Sequence, residues 1–175
     1  MKIGIVGQGF VGTAVHEGLK GFFNIETFDI AKESTCESLE EICKTSKILF
    51  VCLPTPMKTD GSCYTGIVEQ VLKEINLLNT VKTIVVKSTI PPGTTAKWNS
   101  MFDNIDIVFN PEFLTEANSI NDFKNQNRII IGGPKNAASR VRRLFVKVFP
   151  KVKIIKTDST YAEMVKYVTN SFLAT

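Results

Sequence analysis

The sequence predicts an α/β fold of the Rossmann type, a doubly wound, mostly parallel sheet with helices on both faces. Three observations point to it. Short runs rich in β-branched residues recur along the chain, apolar residues at helical spacing fill most of the gaps between them, and a G-x-G-x-x-G pattern follows the first run directly.

The runs, in order, are KIGIVG, IETFDI, KILFVCL, TIVVKS, IDIVFN, RIIIGG and KVKIIKT. Between them lie the helical patterns VGTAVHEGLKG, CESLEEICK, IVEQVLKEINLL, GTTAKWNSMF and AASRVRRLFVKVF, with a last one in YAEMVKYVTNSFLAT. This alternation implies βαβ units, hence parallel pairing with right-handed crossovers. NPEFLTEANSINDFKNQN, between two strand runs, reads as one long irregular loop, and loops of that length in compact domains tend to be functional. Trp98 and most phenylalanines fall in periodic segments and are assigned to the core. In the last helix Met164, Val165, Val168, Phe172 and Leu173 recur at helical spacing, while Lys166 and Asn170, four apart, share a face. No Gly, Asn or Pro stop signal follows it.

With 175 residues, 43% of them hydrophobic and 22% charged, the chain suits one soluble domain and little more. It has no run of about 18 apolar residues, and its start lacks the basic region and cleavage site of a signal peptide. The expectation is a cytoplasmic protein without membrane contact. Cys36, Cys43, Cys52 and Cys63 lack C-x-x-C spacing, so no metal site is expected, and Cys52 in KILFVCL reads as a small buried hydrophobe. The net charge of +4 is mild, and the basic stretch SRVRRLFVKVFPKVKIIK is interleaved with apolar residues. That pattern describes the wet face of packed elements, and nucleic-acid binding is not expected. His16, beside Glu17 and four before Lys20, reads as a solvated helix position.

Gly7, Gly9 and Gly12 stand between a strand and a helix, the setting in which the glycine pattern carries meaning. The first makes the tight turn, the second lets backbone approach a pyrophosphate, and the third lets the helix pack on the sheet. Phe10 and Val11 complete the loop, and the helix N-terminus turns free N–H groups toward the phosphates. Asp29 ends the second strand 17 residues after Gly12, where an acid binds ribose hydroxyls and repels a 2′-phosphate. The cofactor expected is therefore NAD, with Lys32 close enough to soften that repulsion. Ligands of open α/β sheets bind outside the carboxyl ends of the strands. Those ends here are CLPTPMKTDG, VVKSTIPPGTT and VFNPEFLTEAN, which offer Thr55, Ser88, Thr89, Glu112 and Glu116. A hydroxyl and a carboxylate at neighbouring strand ends can hold a water or a substrate hydroxyl near the nicotinamide.

GQGFVG, CLPTP, KSTIPPGTT, NPEFLTEANSINDFKNQNRIIIG and AEMVKYVTNSFLA, in that order, resemble the N-terminal domain of the UDP-glucose/GDP-mannose dehydrogenases across essentially the whole chain. The resemblance implies an NAD-dependent enzyme that oxidises the C6 alcohol of a nucleotide sugar to a carboxylate. Two hydride transfers and a cysteine thioester are involved, in polysaccharide precursor synthesis. It implies that Gly7, Gly9, Phe10, Val11, Gly12 and Asp29 hold the adenosine and pyrophosphate of NAD, with Thr55, Ser88, Thr89 and Glu116 further along the cofactor. Glu112 would act as base with an ordered water that Thr89 helps to place. Phe113 and Leu114 would lie along the sugar, and Lys166 with Asn170 would face the reacting C6 and stabilise negative charge on its oxygen. The substrate class implied is UDP-glucose, UDP-N-acetylmannosamine or GDP-mannose, and the full-length form is expected to be a homodimer.

By the same resemblance residues 1–158 form the cofactor domain, and residues 159–175 begin the long helix that joins it to a second, nucleotide-sugar-binding domain carrying the nucleophilic cysteine. None of the four cysteines matches that nucleophile, so the expectation is a truncated enzyme that binds NAD without completing turnover. Val168, Phe172 and Leu173 would then be left exposed. The sequence departs from the family in the short IAKESTCESLEEICKTS segment, with Ser34 in place of a cofactor-flanking cation, and in Thr115 and Ala117 replacing an arginine and a glycine. The alternatives are a stand-alone NAD-binding module or sensor, and another hydroxyacid dehydrogenase with a similar cofactor domain.

Overall fold

The computed structural model describes residues 1–173, with nothing stated of the Leu173 side chain. All seven strand runs form strands: β1 (Lys2–Val6), β2 (Asn24–Phe28), β3 (Ile48–Val51), β4 (Thr83–Val86), β5 (Asp106–Phe109), β6 (Arg128–Gly132) and β7 (Lys153–Thr157). The helices are α1 (Phe10–Leu19), α2 (Leu39–Thr45), α3 (Gly66–Leu78), α4 (Thr94–Met101), α5 (Ser119–Lys124), α6 (Lys135–Val148) and α7 (Ser159–Leu173). Local chemistry sets several boundaries. The Ser38 hydroxyl accepts from Glu41 N–H while the Glu41 carboxylate accepts from Glu37 N–H, a near-reciprocal cap that starts α2. Asn79, at φ 50°, ends α3 in the left-handed region.

The strands form one sheet in the order β2-β1-β3-β4-β5-β6-β7. β1 to β5 are parallel, and β3 and β4 are buried along their whole length, as strands covered on both faces must be. One apolar layer joins Ile3, Ile5 and Phe50 to Val15, Val141 and Phe145; the other joins Leu49, Val51 and Ile84 to Leu72 and Trp98. Trp98 is fully buried, as expected, and its indole N–H donates to Glu69.

Two expectations need correction. β6 runs antiparallel to β5, meeting it at the single pair Phe109↔Gly132, so β6 and β7 reverse the direction of the sheet. The cause lies in the connection. NPEFLTEANSINDFKNQN is not one irregular loop: it holds a 3-10 turn (Glu116–Asn118) and α5. α5 packs on α1 instead of crossing over the sheet, with the Phe123 ring against Gly18, where a Cβ would come within 2.3 Å of it.

The apolar stripe of α7 does not face the domain. Met164, Val165, Val168 and Phe172 are exposed, whereas Ala162, Glu163 and Lys166 are buried. Ala162 meets Gly132, and the Glu163 carboxylate accepts the N–H groups of Gly93 (2.6 Å) and Thr95 (2.8 Å). Glu163 thereby caps α4, whose first N–H groups have no helical partner of their own. The expectations for the Leu173 side chain, Ala174 and Thr175 lie outside the described residues.

Candidate active site

The glycine loop is locked by its own geometry. Gly7 has φ +90°, donates to Phe28 O at 2.9 Å, and would drive a Cβ within 2.5 Å of Cys52 O. A Cβ at Gly12 would stand 1.9 Å from Gly7 O, so the start of α1 rests directly on the turn. Gly9 differs: it precedes α1, and a Cβ built on it meets nothing within 4 Å. The backbone there is open on the side where a Cβ would stand.

Asp29 immediately follows β2 and accepts from Gln8 N at 2.6 Å and Ala31 N at 2.8 Å. Burial pushes its pKa up, but the backbone N–H groups of Gln8, Ala31 and Lys32 outweigh it and hold the carboxyl below its ordinary value. Lys32 donates to Gln8 O at 2.6 Å, and the Gln8 amide donates to Glu33 O and to Ser34 Oγ at 2.9 Å each. The short segment after Asp29 is thus tied to the glycine loop through Gln8.

Where the strand order turns from β1 to β3, a cleft of about 620 Å³ opens. Gly7, Gly9, Phe10, Val11 and Asp29 line one part of it. Thr55, Ser88, Thr89 and Glu112 line another part. Their order is fixed by hydrogen bonds between strand ends: Thr55 Oγ1 donates to Thr89 O at 2.7 Å, and Ser88 Oγ accepts from Leu53 N at 3.0 Å. Gly12 supports the cleft from behind its wall. Glu116 is not part of the wall; it is exposed at the start of the 3-10 turn.

Lys166 donates through Nζ to Glu112 O and to Glu112 Oε1, both at 2.8 Å, with each residue less than a tenth exposed. Glu112 Oε2 accepts from Leu114 N at 2.7 Å. Two ammonium N–H groups are therefore used and, among the described residues, one is left over, while the carboxylate keeps free lone pairs. Asn170, one turn along α7, is exposed and makes no hydrogen bond to Glu112. A second cavity of about 360 Å³ shares Glu112 with the first and is lined by Phe113 and Leu114, with the Arg128 guanidinium 5.0 Å from the Phe113 ring centre.

Sequence reasoning passed over three buried polar side chains. Lys87, in KSTIPPGTT, is buried and lines both cavities, donating to Asn110 Oδ1 at 2.8 Å and Asn110 O at 3.3 Å. Asn110 in turn donates to Ile130 O at 2.7 Å, fixing the NPEF corner. Glu163 is the third. A charged residue at the end of an all-apolar strand, and a glutamate sharing a helix face with alanine, were the available signals. Cys52 lies in the cleft wall, but burial pushes its thiol up to about 12.

Residues 29–150 match the UDP-glucose/GDP-mannose dehydrogenase family, NAD binding domain. The UDP-glucose 6-dehydrogenase TuaD of Bacillus subtilis is 36% identical over 140 residues, which are 75% of this chain and 30% of that protein. An uncharacterized protein of Methanocaldococcus jannaschii, MJ1054, is 29% identical over an alignment covering all of this chain and 24% of its own length. A UDP-glucose dehydrogenase from Pyrobaculum islandicum superposes with a TM-score of 0.85 at 25% identity, over 99% of this chain and 50% of that one. A GDP-mannose dehydrogenase from Pseudomonas aeruginosa, solved as a ternary complex, gives a TM-score of 0.87 at 22% identity with the same coverage, a likeness of fold. The chain spans about a quarter to a third of the length of these curated relatives and half of the solved chains.

Proposed function

The chain belongs to the UDP-glucose/GDP-mannose dehydrogenase family, with NAD as its cofactor, and we propose that it forms the cofactor-binding and base-carrying part of a nucleotide-sugar 6-dehydrogenase. The observation that carries this reading is the buried Glu112–Lys166 pair at the far end of a cleft that begins at Gly9 and Asp29. Neighbouring strands lie about 4.8 Å apart, so the path from the end of β2 to the end of β4 spans about 14 Å, a length suited to an extended dinucleotide.

In this reading the open face of Gly9 and the N-terminus of α1 take the pyrophosphate, and Asp29 takes ribose hydroxyls. Thr55, Ser88 and Thr89 flank the nicotinamide. Bound there, NAD supplies the hydride acceptor for oxidation of the C6 alcohol of a UDP- or GDP-sugar to the acid. Glu112 Oε atoms accept the proton of a substrate hydroxyl or of an attacking water. The remaining N–H of Lys166 points positive charge at oxygen as it becomes negative, with Asn170 as a second donor. Phe113 and Leu114, in the second cavity, give the sugar an apolar wall.

Cys36, Cys43 and Cys52 are buried, and burial pushes their thiols up, away from the thiolate a nucleophile needs, so the nucleophile is assigned to a second, nucleotide-binding body. The proposed assembly is a homodimer joined through the α7 region, working in the cytoplasm, where thiols stay reduced. The domain division at residues 158 and 159 belongs to the same reading.

The test is to titrate the chain with NAD and to assay UDP-glucose, UDP-N-acetylmannosamine and GDP-mannose oxidation by it, alone and joined to the C-terminal half of a family member. NAD binding by the chain and acid formation only in the joined form are expected. Robust acid formation by the chain alone would refute the division of labour. Tight NAD binding with no sugar turnover in a folded joined form would favour the stand-alone module.

A further inference from the structure

Lys87 is the buried charge that the proposed chemistry leaves unused. The charge of Glu112 is matched by Lys166, but Lys87 has no carboxylate of its own. Its two bonds go to the neutral side chain and carbonyl of Asn110, the Phe123 ring of α5 lies 5.8 Å away, and its third N–H has no hydrogen-bond partner among the described residues. It lines the cleft at the end of β4, next to Ser88 and Thr89, on the side away from Asp29. A buried, unmatched cation is costly and makes the space beside it unfavourable for further positive charge.

We propose that Lys87 sets the redox preference of the cleft, weighting it toward reduced dinucleotide over oxidised. The inference rests on the orientation proposed above, with nicotinamide at the β4 and β5 ends. The nicotinamide ring is cationic in NAD and neutral in NADH, so a facing ammonium repels only the oxidised form. Binding energy withheld from the oxidised ring and not from the reduced one favours transfer of hydride to the bound cofactor.

The device is tied to pH. Burial holds Lys87 down, to about 8, against the opposing pull of the Glu112 carboxylate, and Lys166 pushes it further down. Glu112, in the loop after β5, and Lys166, on α7, are the charged groups that act on it, and Cys52, just after β3, lies beside it. The thiol of Cys52, pushed up to about 12, stays neutral through this range. Below pH 8 the ammonium is charged and the preference is present; above pH 8 the proton is lost and the preference fades.

The experiment measures dissociation constants of NADH, by its own fluorescence, and of NAD, by competition, well below and well above pH 8, for the wild-type chain and Lys87→Met. The expected wild-type preference for NADH is on the order of tenfold at low pH and shrinks at high pH. Lys87→Met should bind NAD more tightly than wild type at low pH and show a ratio independent of pH. A ratio unchanged by both pH and substitution overturns the inference while leaving the cofactor reading intact. Failure of both dinucleotides to bind wild-type chain overturns the cofactor reading and this inference together. If Lys87→Met does not fold, the wild-type ratio across pH 8 decides alone.

Discussion

Lys166 and Glu112, 54 residues apart in sequence, hold each other by two contacts of 2.8 Å, one to the carboxylate and one to the main-chain carbonyl. The pair joins α7 to the corner after β5, so the same contact that orients the base also docks the last helix. Burial makes it unforgiving, because removing one partner strands the other's charge away from water.

Lys166→Met should therefore destabilise the chain by about 3–5 kcal/mol, read as a shift in the urea midpoint. The double variant Lys166→Met with Glu112→Gln should regain part of that loss, since neither member of the pair is left charged without the other. Strictly additive losses would show that the two residues are not coupled.

Glu163 gives a pH signature. Burial raises its pKa, and the N–H groups of Thr95 and Gly93 only partly offset this. The folded-state pKa thus lies above the unfolded one, so its contribution to stability is full below the ordinary carboxylate range and is lost as pH rises through the folded value. Glu163→Gln should remove that weakly acidic dependence from the denaturation free energy. Parallel wild-type and variant curves would contradict it.

Asp29→Asn should weaken NAD binding, measured by calorimetry, and loosen the Gln8 turn, because both carboxylate oxygens already accept loop N–H groups. Unchanged affinity would remove Asp29 from the ribose site. Its lowered pKa also places a small stability contribution above the ordinary carboxylate range, lost as pH falls through the folded value.

Much of this was readable from residue order. Every strand run formed a strand and, among the described residues, every helical pattern formed a helix, because β-branched runs and 3.6-residue spacing are local signals. α5 was missed because SINDFK spans fewer than two turns, too short for a period to show. The reversal at β6 follows from where α5 packs, a tertiary fact. The apolar side of α7 was visible, but not that its buried side is Ala162, Glu163 and Lys166. Burial of those charges depends on Gly93, Thr95 and Glu112, far away in sequence. Lys87 escaped for a similar reason: only the turn of NPEF brings Asn110 to it.

Gly12→Ala should fail structurally, since its Cβ would collide with the Gly7 carbonyl at 1.9 Å, with backbone on both sides. A loss of about 3 kcal/mol or more in the denaturation free energy is expected. Wild-type stability in that variant would mean the turn can open, contrary to the packing described.

The central claim, that the cleft over Gly9 is where NAD binds, is tested most directly by calorimetric titration of NAD into wild type and Gly9→Ala, with melting curves alongside. Because a Cβ there touches nothing in the protein, the variant should melt as wild type does while binding NAD on the order of tenfold more weakly or worse. Equal affinity in an equally stable variant would contradict the claim and put the pyrophosphate elsewhere.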